Sequence, residues 1–109
     1  MKKKDLIIDR LFHALGDPTR LAIFELLGGG PKAVGELASQ LPVSRPAVSQ
    51  HLKVLKGAGL VIDHAEGTRR LYQLDPQGLA EVRAYFERFW TYSLASFKAV
   101  AERDGKEER

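Results

Sequence analysis

The chain has no cysteine, one tryptophan, one methionine and three histidines in 109 residues. The lack of cysteine excludes disulfides, thiol nucleophiles, thiolate metal sites and persulfide sensing, and it fits a reducing compartment. The histidines, His13, His51 and His64, fall on three separate predicted elements. They offer no ligand spacing, whereas zinc asks for about four converging donors. No metal or other cofactor is therefore expected. No apolar run approaches the length of a membrane span, so no membrane partner is expected. The opening Met1-Lys2-Lys3-Lys4-Asp5 lacks the apolar region and cleavage site of a secretory signal, so the expected location is the cytoplasm. No paired catalytic carboxylates, clustered histidines or nucleotide loop can be placed, so an enzyme is not expected. The run Gly28-Gly29-Gly30 follows a helical pattern and lacks the Lys-Ser/Thr continuation of a phosphate loop, so it reads as a helix stop. Acidic residues are absent from the whole of residues 44–62.

What remains is 44% hydrophobic and 28% charged, the balance of a globular protein. Residues 1–109 read as one domain, long enough to bury a core without staples. A net charge of +3 and a pI near 9.3 lean towards a polyanionic partner. Lys2, Lys3 and Lys4 suit either a phosphate-seeking arm or a solubilising terminus. The mixed-sign tail, residues 102–109 with Gly105, reads as a disordered end.

The pattern predicts four helices, a hairpin and a fifth helix. The first, about 6–15, carries Ile7, Ile8, Leu11, Phe12 and Leu15 as an apolar stripe. The second opens at Asp17-Pro18, a cap followed by a first-turn proline, and its Leu21, Ile23, Phe24, Leu26 and Leu27 make it mostly core. The third, about 32–41, turns Val34, Leu37, Ala38 and Leu41 inward, and Pro42-Val43 makes a tight turn. Ser44 caps the fourth, about 44–57; Pro46 suits its first turn, and Gly57 and Gly59 end it. Val48, Leu52 and Leu55 fall on one face and Arg45, Ser49, Gln50, Lys53 and Lys56 on the other.

Two strand-like runs, Leu60-Val61-Ile62 and Leu71-Tyr72-Gln73-Leu74, flank a polar connection with Glu66-Gly67-Thr68. Together with the helix-turn-helix before them they read as the wing of a winged helix, about 60–74. The acid-free helical face suits a phosphate backbone with base edges beneath it. Arg69 and Arg70 enter the second strand, placed either to reach phosphates or to pair with Asp63 or Glu66. The bland alternative for the basic helix is a solvated surface.

The last helix opens at Asp75-Pro76 and is expected to run to about 103. Leu79, Val82, Phe86, Phe89 or Trp90, Ser93 or Leu94, Phe97 and Val100 recur at three- and four-residue steps, too long a stripe for so small a core to cover. With Leu11 of the first helix they are the expected interface of a homodimer. A ligand pocket among these aromatics is the rival reading.

Leu15-Gly16-Asp17-Pro18-Thr19-Arg20, Ser49-Gln50-His51-Leu52-Lys53-Val54-Leu55, Ala58-Gly59-Leu60-Val61 and the stretch 67–72 resemble, in this order, motifs of the ArsR/SmtB family of bacterial winged-helix repressors. The match covers essentially the whole chain. The resemblance implies a mainly α fold with a small antiparallel hairpin. It also implies a homodimer joined through terminal helices, which represses transcription from a palindromic operator in double-stranded DNA. By position, Ser44, Arg45, Pro46, Ala47, Ser49, Gln50, His51 and Lys53 match the recognition helix, and Arg69, Arg70 and Tyr72 match the wing. Polar residues near the helix start are favoured for reading bases, because that end enters the groove. The chain departs from metal-sensing members: Ala33-Val34-Gly35 stands where a cysteine pair would be, and the last helix holds no histidine. Asp75-Pro76 and Phe89-Trp90 are similar to the metal-independent autorepressor branch. Rivals of another kind are a repressor released by a small apolar ligand and a winged helix that binds a protein.

Overall fold

The computed structural model describes the backbone of residues 3–107 and the side chains of residues 6–104. The side chains of the lysine arm at residues 2–4 and the last two residues of the tail lie outside what is described. Two helices come first, α1 (Lys3–Leu15) and α2 (Pro18–Leu27). The carboxylate of Asp17 accepts the Arg20 backbone N–H at 2.9 Å, which caps α2. The Arg20 side chain turns back: Nε donates to the Ala14 carbonyl at 2.7 Å and a terminal nitrogen to that of His13 at 3.5 Å. A cation thus satisfies the last carbonyls of α1, where the helix dipole favours it.

A short strand, β1 (Lys32–Ala33), leads into α3 (Val34–Ser39), and α4 (Arg45–Gly57) follows. Ser44 Oγ accepts the Ala47 N–H at 3.3 Å and starts α4. The helix ends in a Schellman motif: Leu60 N–H donates to the Leu55 carbonyl at 3.0 Å and Gly59 N–H to that of Lys56 at 3.1 Å. Gly59 takes φ 86°, a left-handed conformation that side-chain-bearing residues resist. The strands β2 (Val61–Glu66) and β3 (Arg69–Leu74) form the wing, closed by Gly67-Thr68. The sheet is antiparallel in the order β1-β3-β2, with Lys32 opposite Tyr72, Val61 opposite Leu74 and Glu66 opposite Arg69.

Ile8, Leu11, Ala14, Ile23, Leu27, Leu37, Val48, Leu52, Leu55, Leu60 and Val61 form one buried core beneath α4. Val48, Leu52 and Leu55 are fully buried, as the spacing on α4 predicts. Truncating such a leucine to alanine costs about 2–5 kcal/mol. Leu11 is 1% exposed within a single chain, which corrects its assignment to the dimer interface: it has no surface left for a partner. Leu21, expected inside α2, is instead 41% exposed.

Other differences concern strands and the terminus. The predicted third helix loses Lys32 and Ala33 to β1, whose backbone pairs with β3. The strand β2 continues through Asp63 to Glu66, and β3 begins at Arg69, so the polar connection shrinks to two residues. The last helix, α5 (Pro76–Glu107), runs 32 residues and about 48 Å. It takes in residues 102–107 of the tail read as disordered, passing through Gly105, because residues 79–104 contain neither proline nor glycine to stop the helix. Gly78 is buried where α5 crosses the end of α4. A Cβ placed there would collide with the Gly59 carbonyl oxygen and lie 3.2 Å from the Leu60 Cα. The Asp75 N–H donates to the Leu60 carbonyl at 2.8 Å beside this crossing.

Candidate nucleic-acid interface

The exposed face of α4 carries Arg45, Pro46, Ser49, Gln50 and Lys53. Two guanidinium or ammonium groups, a hydroxyl and an amide on one helix give donors of fixed spacing with no acid among them. Ser44 spends its hydroxyl on the helix cap, and Ala47 is half-buried. His51 is half-buried too, and its Nδ1 lies 3.9 Å from the Asp17 carboxylate, so the imidazole faces the start of α2. The Asp17 carboxyl is held below its ordinary range, chiefly because the Arg20 N–H donates to its charged form.

The wing turn stands beside the start of α4. Arg45, Thr68, Arg69 and Arg70 line an open cleft of about 510 Å³ together with residues 33–36. The Arg45 guanidinium lies over Gly35, close enough that a methyl there would touch it at 3.4 Å. In the sequence Arg45 and the wing arginines belong to separate elements; folding brings all three residues to the lining of one hollow. Tyr72, the remaining wing position, sits mid-strand between β1 and β2, half-buried and packed against the core.

Carboxylates meet several of these cations. Arg70 donates to Asp63 Oδ2 at 2.6 Å, one of the two pairings the sequence suggested. Arg69 instead bonds to Glu36 on α3, and Glu66 lies 3.8 Å from His64. Lys56, read as part of the cationic face, points its ammonium to Asp63 Oδ1 at 2.6 Å. The Asp63 side chain is 8% exposed. Hydrogen bonds from Lys56 and then Arg70 hold its carboxyl below the usual range. Asp63 was visible in the sequence only as a lone acid after an acid-free stretch. Its link to Lys56 depends on where β2 leaves the end of α4.

The second candidate surface is on α5. Phe86, Phe89, Trp90, Leu94 and Phe97 are each more than half exposed, Leu79 is 36% exposed, and Val82 is half-buried. Phe12 of α1, 38% exposed, extends this face: its ring meets Tyr85 at 5.4 Å and Phe86 at 5.8 Å, edge to face. Among the described residues no three histidine, aspartate or glutamate side chains gather in a way that would hold a metal ion.

Comparison with known proteins places this arrangement. The helix-turn-helix domain model matches residues 15–64, from the end of α1 into the wing. The HTH-type transcriptional regulator Rv2034 of Mycobacterium tuberculosis is 60% identical over 97 residues, covering 89% of this chain and 91% of the relative. The transcriptional repressor SdpR of Bacillus subtilis is 38% identical over 68 residues, 62% of this chain and 76% of that protein. A solved homodimeric winged helix-turn-helix DNA-binding domain from Mycobacterium bovis, a possible ArsR-family regulator, superposes with a TM-score of 0.65. It is 30% identical, over 84% of this chain and 87% of that one. The mainly helical fold, the three-stranded antiparallel sheet and the similarity along nearly the whole length agree: the chain belongs to the ArsR family of winged helix-turn-helix transcriptional regulators.

Proposed function

We propose that the protein is a homodimeric repressor that binds an inverted-repeat operator in double-stranded DNA without sensing metal. The observation that carries this reading is the acid-free exposed face of α4, Arg45, Ser49, Gln50 and Lys53, with the wing arginines on the same hollow as Arg45. An α-helix fits the major groove, where Arg, Gln and Ser side chains pair with base edges. With α4 seated there, Arg69 and Arg70 reach the neighbouring phosphates or minor groove. His51 serves the scaffold through Asp17, or a phosphate, rather than a base.

The exposed aromatic face of α5, extended by Phe12, supports the dimer: so large an apolar surface is rare on a monomer. A two-fold dimer presents its recognition helices to half-sites about 34 Å apart, one turn of the duplex. Metal independence is supported by the absence of cysteine and by His13, His51 and His64 lying on α1, α4 and β2. Selection of bound duplexes from a random pool, at two salt concentrations and with chelator, tests the reading. Enrichment of an inverted repeat is expected; no enrichment from a folded dimer would overturn it.

A further inference from the structure

Three cations bordering the interface are already occupied inside the molecule. Lys56 and Arg70 share the Asp63 carboxylate at 2.6 Å each, and Arg69 bonds to Glu36. Arg45 and Lys53 make no ion pair among the described residues. We infer that Asp63, seconded by Glu36, is a specificity-determining residue: it stands in for a phosphate and withholds Lys56, Arg69 and Arg70 from DNA of the wrong sequence. The inference rests on the DNA reading above.

The physical reason is distance and shielding. A non-specific complex is held by phosphates that approach loosely, and Coulomb attraction falls with separation and with solvent between the charges. A carboxylate in contact beats such a phosphate. A cognate duplex seated by base contacts from α4 brings its phosphates to fixed positions against the wing, where they compete on equal terms. Asp63 is the stronger of the two, because its side chain is 8% exposed and takes hydrogen bonds from two cations, so salt screens its pairs less than that of Glu36, which is 46% exposed. Asp63 also joins the end of α4 to both wing strands, so the cations it holds come from both halves of the interface.

The test uses a non-cognate duplex of fixed length and measures its dissociation constant against salt for the full chain. The proteins are the wild type, Asp63→Asn, Glu36→Gln and Glu25→Gln. Glu25 is exposed on α2 with no ion pair among the described residues, so its variant reports the bare effect of losing one negative charge. Asp63→Asn is expected to steepen the slope of log affinity against log salt by about 0.9 for each cation that reaches a phosphate. Its loss of affinity between 50 and 200 mM salt then grows about threefold per contact, and the preference for the selected operator falls. Glu36→Gln should do the same more weakly. Slopes equal to that of Glu25→Gln, or shallower, would overturn the inference. If Asp63→Asn does not fold by circular dichroism, Glu36→Gln, which keeps an oxygen for the Ala33 N–H, decides alone. A wild type with no salt-dependent duplex binding would instead overturn the DNA reading, and this inference with it.

Discussion

Arg45 stands exposed at the first position of α4, the end of the helix expected to enter a groove, and no carboxylate among the described residues holds it. Arg45→Ala is expected to weaken the selected operator by about 1–3 kcal/mol and to leave non-cognate duplexes nearly unchanged, measured as dissociation constants on both. An equal loss on all sequences would assign it to a phosphate. Asp63 carries a second prediction, on stability. Its pKa is lowered in the folded chain from an unfolded value of 3.8, so its contribution is fully present above that value. The contribution is lost as pH falls through the folded pKa. The gap in melting temperature between wild type and Asp63→Asn should therefore be widest at neutral pH and close as pH drops below 3.8. Asp17, shifted the same way, keeps some acid sensitivity in the variant. A gap that widens in acid would contradict the geometry. Neither carboxylate's role was fully legible in the sequence: Asp63 and Arg70 meet only as diagonal neighbours across the hairpin, and Glu36 meets Arg69 across 33 residues.

Helices were legible where caps and periodicity agreed. Asp17-Pro18 and Ser44 mark the starts of α2 and α4, and Val48, Leu52 and Leu55 are buried as their spacing requires. β1 was not legible, because two residues carry no period and Lys32 and Ala33 are strand only by pairing with Tyr72 and Leu71. The outer half of β2 was hidden for the opposite reason: His64, Ala65 and Glu66 are all exposed, so no buried face imposes alternation. The exposed Leu21 shows that a continuous apolar run exaggerates a helix's buried face. The crossing of α4 and α5 supplies a third prediction. Gly78→Ala pushes a methyl into the Gly59 carbonyl, backbone against backbone, and should cost at least about 1–3 kcal/mol in thermal or denaturant melts. A neutral result would mean that the two helices part easily. Nothing in the sequence distinguishes Gly78 from a tolerated helix glycine; its importance comes from the crossing alone.

At the scale of the molecule, the extents of 70 × 31 × 24 Å reflect a core at one end and a long projecting helix. The exposed Phe89, Trp90, Leu94 and Phe97 on that projection form the face that the proposed dimer would bury against a second copy. Trp90, 69% exposed, has no structural duty within one chain. Trp90→Glu should therefore keep the melting profile of a folded protomer, sediment as a monomer and lose operator binding, since one half-site holds only half the contacts. A variant that still sediments as a dimer would place the interface elsewhere. The joint at Gly59 and Gly78 has a mechanical consequence for such a dimer. The turn that ends α4, the proposed recognition helix, lies against α5, which would set the two-fold axis, with backbone touching backbone and no side chain between them to act as a cushion. In the proposed dimer the two protomers would then behave as the jaws of a caliper on a stiff hinge. A small change in how the paired helices cross alters the opening between the jaws, and with it the operator spacing that the protein accepts.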